Sequence, residues 1–241
     1  MALSSLLPAG LELDTWQGQA FVGIVPFAAR HTRAPFLPPV PLLSDFYELN
    51  LRTYVHRQGR NPGVLFFSLD ATSRLAVWGA RALYKLPYFH ASIAMESSGA
   101  VTSFSSLRVA SGGRPRFACR YAPASPAAVA APHTREFFLI ERYLLYSWDG
   151  RRLRRARVWH HPYRVATAHI ESLHEDVTAS AGIVMDRDDA PIAHCADDVD
   201  VRIYPPSLVA ERVRTRLPGR AVPASASAAP AATLALLHPG D

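Results

Sequence analysis

The sequence predicts a mainly β fold of the α+β class: an antiparallel meander that closes into a barrel-like domain with one or two short helices. Two observations predict it. Short runs of alternating apolar and polar residues recur along the chain, separated by Gly, Asn, Asp and Ser turns. Only one stretch, after Thr72, carries apolar residues at clear helical spacing. Closure follows from the number of strands, because every unpaired edge is a template for aggregation.

Residues 11–16 and 20–27 are expected as two strands around the Gln17-Gly18-Gln19 turn. Residues 35–41 hold four prolines, which remove backbone donors and mark a loop. In residues 48–56, Leu49, Leu51, Thr53 and Val55 alternate with Glu48, Asn50, Arg52, Tyr54 and His56, giving one greasy and one polar face. Residues 58–63 turn the chain and residues 64–70 return it. Thr72 or Ser73 caps a helix to Lys85, with Leu75, Trp78, Ala82 and Leu83 as its apolar stripe; Gly79 weakens it and Pro87 ends it. Strands follow at 88–96, 101–109 and 116–121. Residues 122–132 form a loose Ala/Pro-rich loop, and 137–146 pairs with 153–160 about Asp149-Gly150. The domain is expected over residues 1–207. The Ala/Pro-rich stretch 208–241 has too little bulky apolar content to pack and is expected as a disordered tail.

The composition narrows the function classes. Of 241 residues, 49% are hydrophobic and 19% charged, and no apolar run approaches the roughly 20 residues of a spanning helix, so no membrane partner is expected. The N-terminus lacks a basic start, so export is not indicated, and Cys119 and Cys195 are too few for a disulfide framework. Both point to a cytoplasmic setting. The net charge of +6 suggests an anionic partner, yet only Arg151, Arg152, Arg154, Arg155 and Arg157 cluster, at a hairpin tip without interleaved aromatics. No nucleic-acid partner is expected, and self-association is left open.

Three stretches together resemble the YqjF-like family of uncharacterised bacterial proteins (DUF2071), which is similar to the acetoacetate decarboxylase-like fold. They are Glu48-Leu-Asn-Leu-Arg-Thr-Tyr54, Ala82-Leu-Tyr-Lys-Leu-Pro-Tyr-Phe89, and Glu141-Arg-Tyr143 followed by His160-His-Pro-Tyr163. The similarity covers about residues 8–207. It implies a barrel whose lumen holds the site. Acetoacetate decarboxylases form a Schiff base through a lysine that follows a proline, whereas here Tyr88 and Phe89 follow Pro87. Lys85, the only lysine, precedes that proline. Arg81 one helical turn earlier is placed to depress its pKa for such chemistry, and a helix-ending cation in water is the plain alternative.

The candidate ligand-binding residues are Glu48, Arg52, Tyr54, Tyr88, His90, Glu141 and His160. The candidate catalytic residues are Lys85, Glu48 and His90. If the polar face of residues 48–56 lines the lumen, Arg52 can hold a carboxylate through two parallel hydrogen bonds and Glu48 can accept a proton. Tyr88 and His90 share a strand face after Pro87, where the related enzymes keep their chemistry. Glu141 and Arg142 are expected on opposite faces of one strand, as are His160 and His161.

No metal is expected. His169 and His174 are five apart, His194-Cys195 with Asp197-Asp198 has no recognised spacing, and Asp186, Asp188 and Asp189 lack a calcium loop's glycine and terminal glutamate. Nor is a cofactor: no dinucleotide fingerprint, Walker loop or G-x-S-x-G elbow occurs, and Ser68, Ser106 and Cys119 have no base that spacing places beside them. The expected function is a small-molecule-binding barrel with a polar lumen pocket for a polar or oxo-acid-like ligand. The alternative is a lyase or isomerase acting on an oxo-acid-like substrate, using Lys85 or a Glu/Tyr/His acid–base set.

Overall fold

The computed structural model describes residues 3–29, 45–109, 113–185 and 191–209, and the backbone of 231–237. The proline-rich 35–41 segment and the Asp186, Asp188 and Asp189 turn lie outside the described residues, as does most of the stretch after 209. The strands in order are β1 (Glu12–Leu13), β2 (Phe21–Ala29), β3 (Phe46–Arg57), β4 (Arg60–Ala71), β5 (Tyr88–Ser98), β6 (Val101–Arg108), β7 (Arg116–Pro123), β8 (Ala128–Val129), β9 (Leu144–Trp148), β10 (Leu153–His160), β11 (Arg164–Glu175), β12 (Ile192–Ala196), β13 (Val201–Ile203), β14 (Ser207–Leu208) and β15 (Ala231–Leu237). Among the described residues three α-helices interrupt them, α1 (Arg74–Tyr84), α2 (Arg135–Ile140) and α3 (Val177–Ser180), and a 3-10 turn at Leu3–Leu6 precedes them.

The fold is mainly β, built on one large mixed sheet. Its order is β1-β3-β2-β15-β12-β11-β7-β6-β5-β4-β9-β10-β13, and β3 and β4 also pair with each other. The expected meander is correct for β5, β6 and β7, which pair antiparallel in sequence. It is not correct throughout. β4 runs parallel to β5 and to β9, and β15 runs parallel to β2 and β12. The β4–β5 pairing is parallel because α1 carries the chain back across the sheet between them, as a parallel pair requires.

Several local expectations change for physical reasons. Residues 11–16 and 20–27 do not pair as a hairpin. Trp16 and Gln19 exchange two backbone hydrogen bonds across the turn, after which β1 goes to β3 and β2 to β3 and β15. The β3–β4 turn is tighter than expected: Gln58 and Gly59, at φ 54° and 66°, close it by themselves, with Arg57 opposite Arg60. Residues 137–140 belong to a helix, not a strand. Thr134 caps it by accepting from the Phe137 amide at 3.2 Å, and Glu136 sits in its first turn. Its Phe-Phe-Leu-Ile run suits either element on periodicity alone. Within the stretch expected as an unpacked tail, residues 231–237 run as β15 between β2 and β12.

β3 is buried on both faces. Leu49 and Leu51 join Val22, Ile24, Phe104, Phe117, Cys119 and Tyr121 in one core. Tyr54, from the other face, joins Phe21, Leu69, Leu139, Leu145 and Val165 in a second. The alternation in β3 therefore separates two interiors, not an inside from an outside.

α1 forms as expected, with the Ser73 hydroxyl accepting from the Ala76 amide at 3.2 Å. Its stripe faces solvent. Leu75, Trp78, Ala82 and Leu83 are exposed, and Val77 is the helix's buried residue. Among the described residues, no helix is long and apolar enough to cross a membrane.

Candidate functional site

The polar face of β3 lies in the second interior. Glu48 and Asn50 are 4% and 7% exposed and Tyr54 is fully enclosed, while Arg52 is half-buried. Register carries this face across neighbouring strands. Glu48 is opposite Ala71 of β4, which is opposite His90 of β5; likewise Asn50, Leu69 and Tyr88 form a row. Glu48, Asn50, Tyr88 and His90 thus share one sheet surface, with His90 two strands, or about 10 Å, from Glu48.

At one end of this surface the Tyr88 hydroxyl donates to Glu48 Oε2 at 2.9 Å. Burial pushes the Glu48 carboxyl from the usual 4.5 up to about 8, hydrogen bonds from Tyr88 and Asn50 oppose the shift, and the charge on Asp70 adds to it. Burial also holds the Tyr88 phenol well above its ordinary value, and Glu48 reinforces this. Glu48 is therefore a carboxylic acid able to exchange a proton near neutral pH.

The other end begins at Arg52, four residues and about 13 Å along the strand. Arg52 does not reach toward Glu48. Its Nη2 donates to the Leu139 carbonyl at 3.3 Å, and its guanidinium lies 5.6 Å from the Tyr54 ring. Arg142 approaches the same ring at 5.2 Å, stacks over Phe138 at 4.2 Å and pairs with Asp14. Burial lowers the Arg142 pKa, Asp14 opposes this, and Arg52 contributes to the lowering. Gly23 of β2 lies opposite Arg52 in the sheet register.

Three polar atoms on successive positions of this face, Asn50 Oδ1, Arg52 Nε and Tyr54 Oη, are buried without a hydrogen-bond partner among the described residues. Such atoms are few in folded proteins, and each costs roughly 1–3 kcal/mol.

Glu141 and Arg142 are both buried, which corrects the expectation of opposite strand faces: residues 141–143 join α2 to β9 and are not in a strand. Glu141 Oε1 accepts from the Tyr163 amide at 3.0 Å, and Oε2 accepts from the Tyr143 hydroxyl. His160, also buried, stacks on Tyr143 with ring centroids 4.5 Å apart and lies 4.7 Å from Tyr163. These contacts fix the turn behind Arg52. Tyr163 faces both groups: burial pushes its phenol up to about 12, with Arg52 pulling it down and Glu141 raising it.

Lys85 is exposed at the C-terminal cap of α1, with a left-handed backbone at φ 55°. His56 accepts from the Gly59 amide at 3.2 Å and serves the hairpin turn. His161 is exposed against Trp159. Among the described residues no group of three His, Cys, Asp or Glu side chains could hold a metal ion. Sequence reasoning did not single out Asp14, Asn50 or Tyr163 as site residues. Asn50 carried a signal in the alternation itself; Asp14 and Tyr163 are brought in only by tertiary contacts.

Residues 1–200 match the model of DUF2071, described as an uncharacterized conserved protein. The chain belongs to that family. As a DUF2071 member it is 39% identical over 203 residues to the uncharacterized protein YqjF of Bacillus subtilis, covering 84% of this chain and 83% of that one. Solved structures similar to it include acetoacetate decarboxylase from Legionella pneumophila, at 10% identity and TM-score 0.46 over 80% of this chain and 85% of that one. Another is an acetoacetate decarboxylase-like enzyme from Sphingomonas wittichii, at 12% identity and TM-score 0.45 over 86% and 85%.

Proposed function

We propose that this DUF2071 protein binds a small polar molecule bearing an acidic group, of oxo-acid-like size, against the Glu48–Tyr54 face of β3. In this reading the β3–β4 pairing completes a barrel-like wall and the ligand sits inside it. The observation that carries the proposal is the row of unpartnered atoms at Asn50, Arg52 and Tyr54. Packing for stability alone would select against three such atoms in one place, whereas a ligand with a carboxylate for Arg52 and a hydroxyl or carbonyl nearby satisfies them. The free, buried thiols of Cys119 and Cys195 suit a reducing compartment such as the cytoplasm.

The test is calorimetric titration with small carboxylic, hydroxy and oxo acids, comparing wild type with Arg52→Gln. Binding by wild type that falls at least about tenfold in the variant is expected, since truncating a charged hydrogen-bonding partner removes about 1.5–3 kcal/mol. Equal binding by both proteins contradicts the proposal.

A second reading, lyase or isomerase chemistry on the same ligand, is favoured by the Glu48–Tyr88 pair. A buried acid raised to about 8 can move a proton at neutral pH. The exposure of Lys85 favours this acid–base set over a Schiff base, which needs a desolvated amine.

A further inference from the structure

We propose that α1 is a docking surface for an anionic phospholipid bilayer, on which the protein sits peripherally. Besides its inward face of Ala76, Val77, Ala80 and Tyr84, the helix carries large apolar side chains toward solvent. Leu75, Trp78 and Leu83 are 50%, 68% and 67% exposed. At 3.6 residues per turn, Trp78, Ala82, Leu75, Gly79 and Leu83 occupy one continuous arc of about 140° facing solvent. A contiguous apolar face of this kind on a soluble surface calls for an occupant.

Charge identifies the occupant. Arg74, Arg81 and Lys85 are exposed and fall together along one border of that arc, and residues 74–85 contain no carboxylate. A second copy of the helix laid face to face would bring two sets of these cations together with nothing to pair them. An anionic lipid surface supplies the opposite charge. Trp78 falls between the cations and the aliphatic residues on the helical wheel, the order in which headgroup phosphate, interface and acyl chain are met on entering a bilayer. Arg74 and Arg81, with Val77, Trp78 and Ala82, also line a surface depression of about 380 Å³. Two guanidinium groups beside an indole suit a phosphate headgroup. This departs from the expectation of no membrane partner, which rested on the lack of a spanning run; peripheral contact needs none.

The test is co-sedimentation of the full chain with phosphatidylcholine vesicles, with and without phosphatidylglycerol. Wild type is expected to sediment only with the anionic vesicles and to be released as salt rises from about 0.05 to about 0.5 M, where screening shortens from beyond 10 Å to a few ångströms. Trp78→Ser with Leu83→Ser abolishes sedimentation, and Arg81→Gln alone weakens it about fivefold. All these positions are exposed, so the circular dichroism spectrum and melting temperature stay at wild-type values; should the double variant not fold, Arg74→Gln with Arg81→Gln carries the test. No sedimentation with anionic vesicles overturns the proposal. So does sedimentation that persists in the substituted proteins, or self-association of wild type that the serine variant abolishes in the absence of lipid binding.

Discussion

Replacing Glu48 by Gln separates the protonation of one buried carboxyl from everything else in the molecule. Glu48 is raised from 4.5 to about 8, so over about 3.5 pH units the folded protein keeps a proton that the unfolded chain has released. Stability then falls as pH rises, because the native state binds more protons than the unfolded state in that interval. The contribution is fully present below about pH 4.5 and is lost by about pH 8. At roughly 1.4 kcal/mol per pH unit the ceiling is about 5 kcal/mol. Local relaxation around the charged form brings the expected loss to about 2–5 kcal/mol.

Glutamine keeps an oxygen for the Tyr88 hydroxyl and cannot ionise, so Glu48→Gln removes this slope. Urea denaturation of both proteins at a series of pH values reads the difference, in which every other titrating group cancels. The variant is expected to gain on wild type progressively between about pH 5 and about pH 8. Two stability curves that stay parallel across that interval would refute the assignment of a buried, proton-holding Glu48.

Lys85→Gly suits the left-handed backbone at that position and is expected to change stability by at most about 1 kcal/mol in the favourable direction while leaving ligand binding unchanged. Loss of binding or activity in this variant, or mass added to Lys85 on borohydride reduction with oxo acids, would return that residue to the site. Gly63→Ala is expected to cost about 1–3 kcal/mol, because its Cβ would lie 2.6 Å from the Leu144 carbonyl oxygen and 2.9 Å from the Leu144 Cβ, where β4 and β9 pair. A urea midpoint equal to wild type would contradict that close approach.

The local strands were legible in the sequence because side-chain alternation is a direct consequence of strand geometry: β3, the β5–β7 meander and the Asp149-Gly150 turn all follow from it. What alternation cannot supply is the partner of each strand. β1 pairs with β3 instead of β2, and β4 with β5 and β9 in parallel, because those choices depend on contacts distant in sequence. The helical period of α1 was correct; spacing alone does not say which way a stripe faces, and here it faces solvent. α2 was missed although Thr134 with Glu136 two residues later offered a helix-start signal, because Phe137 to Ile140 suits a strand equally well.

The candidate site was legible in the same measure. Glu48, Arg52, Tyr54, Tyr88 and His90 were named from the residues of two strands, and register brings Glu48, Tyr88 and His90 to one surface. The expectation that Glu48 and Arg52 converge ignored the length of strand between them, which separates an acid end from a guanidinium end. Glu141 and His160 were named too, but their hydrogen bonds and ring stacking tie down the turn behind Arg52. The raised pKa of Glu48 was not predictable, because it arises from burial on a face that alternation alone leaves equally free to meet water.

Asn50 Oδ1, Arg52 Nε and Tyr54 Oη, if held for a ligand, should retain one through purification. A high-resolution crystal structure of the protein purified without added small molecules tests it most directly. Density for an organic acid is expected within hydrogen-bond distance of Arg52 and at least one of the other two atoms. Side chains that close on one another and satisfy all three atoms without a ligand would contradict it.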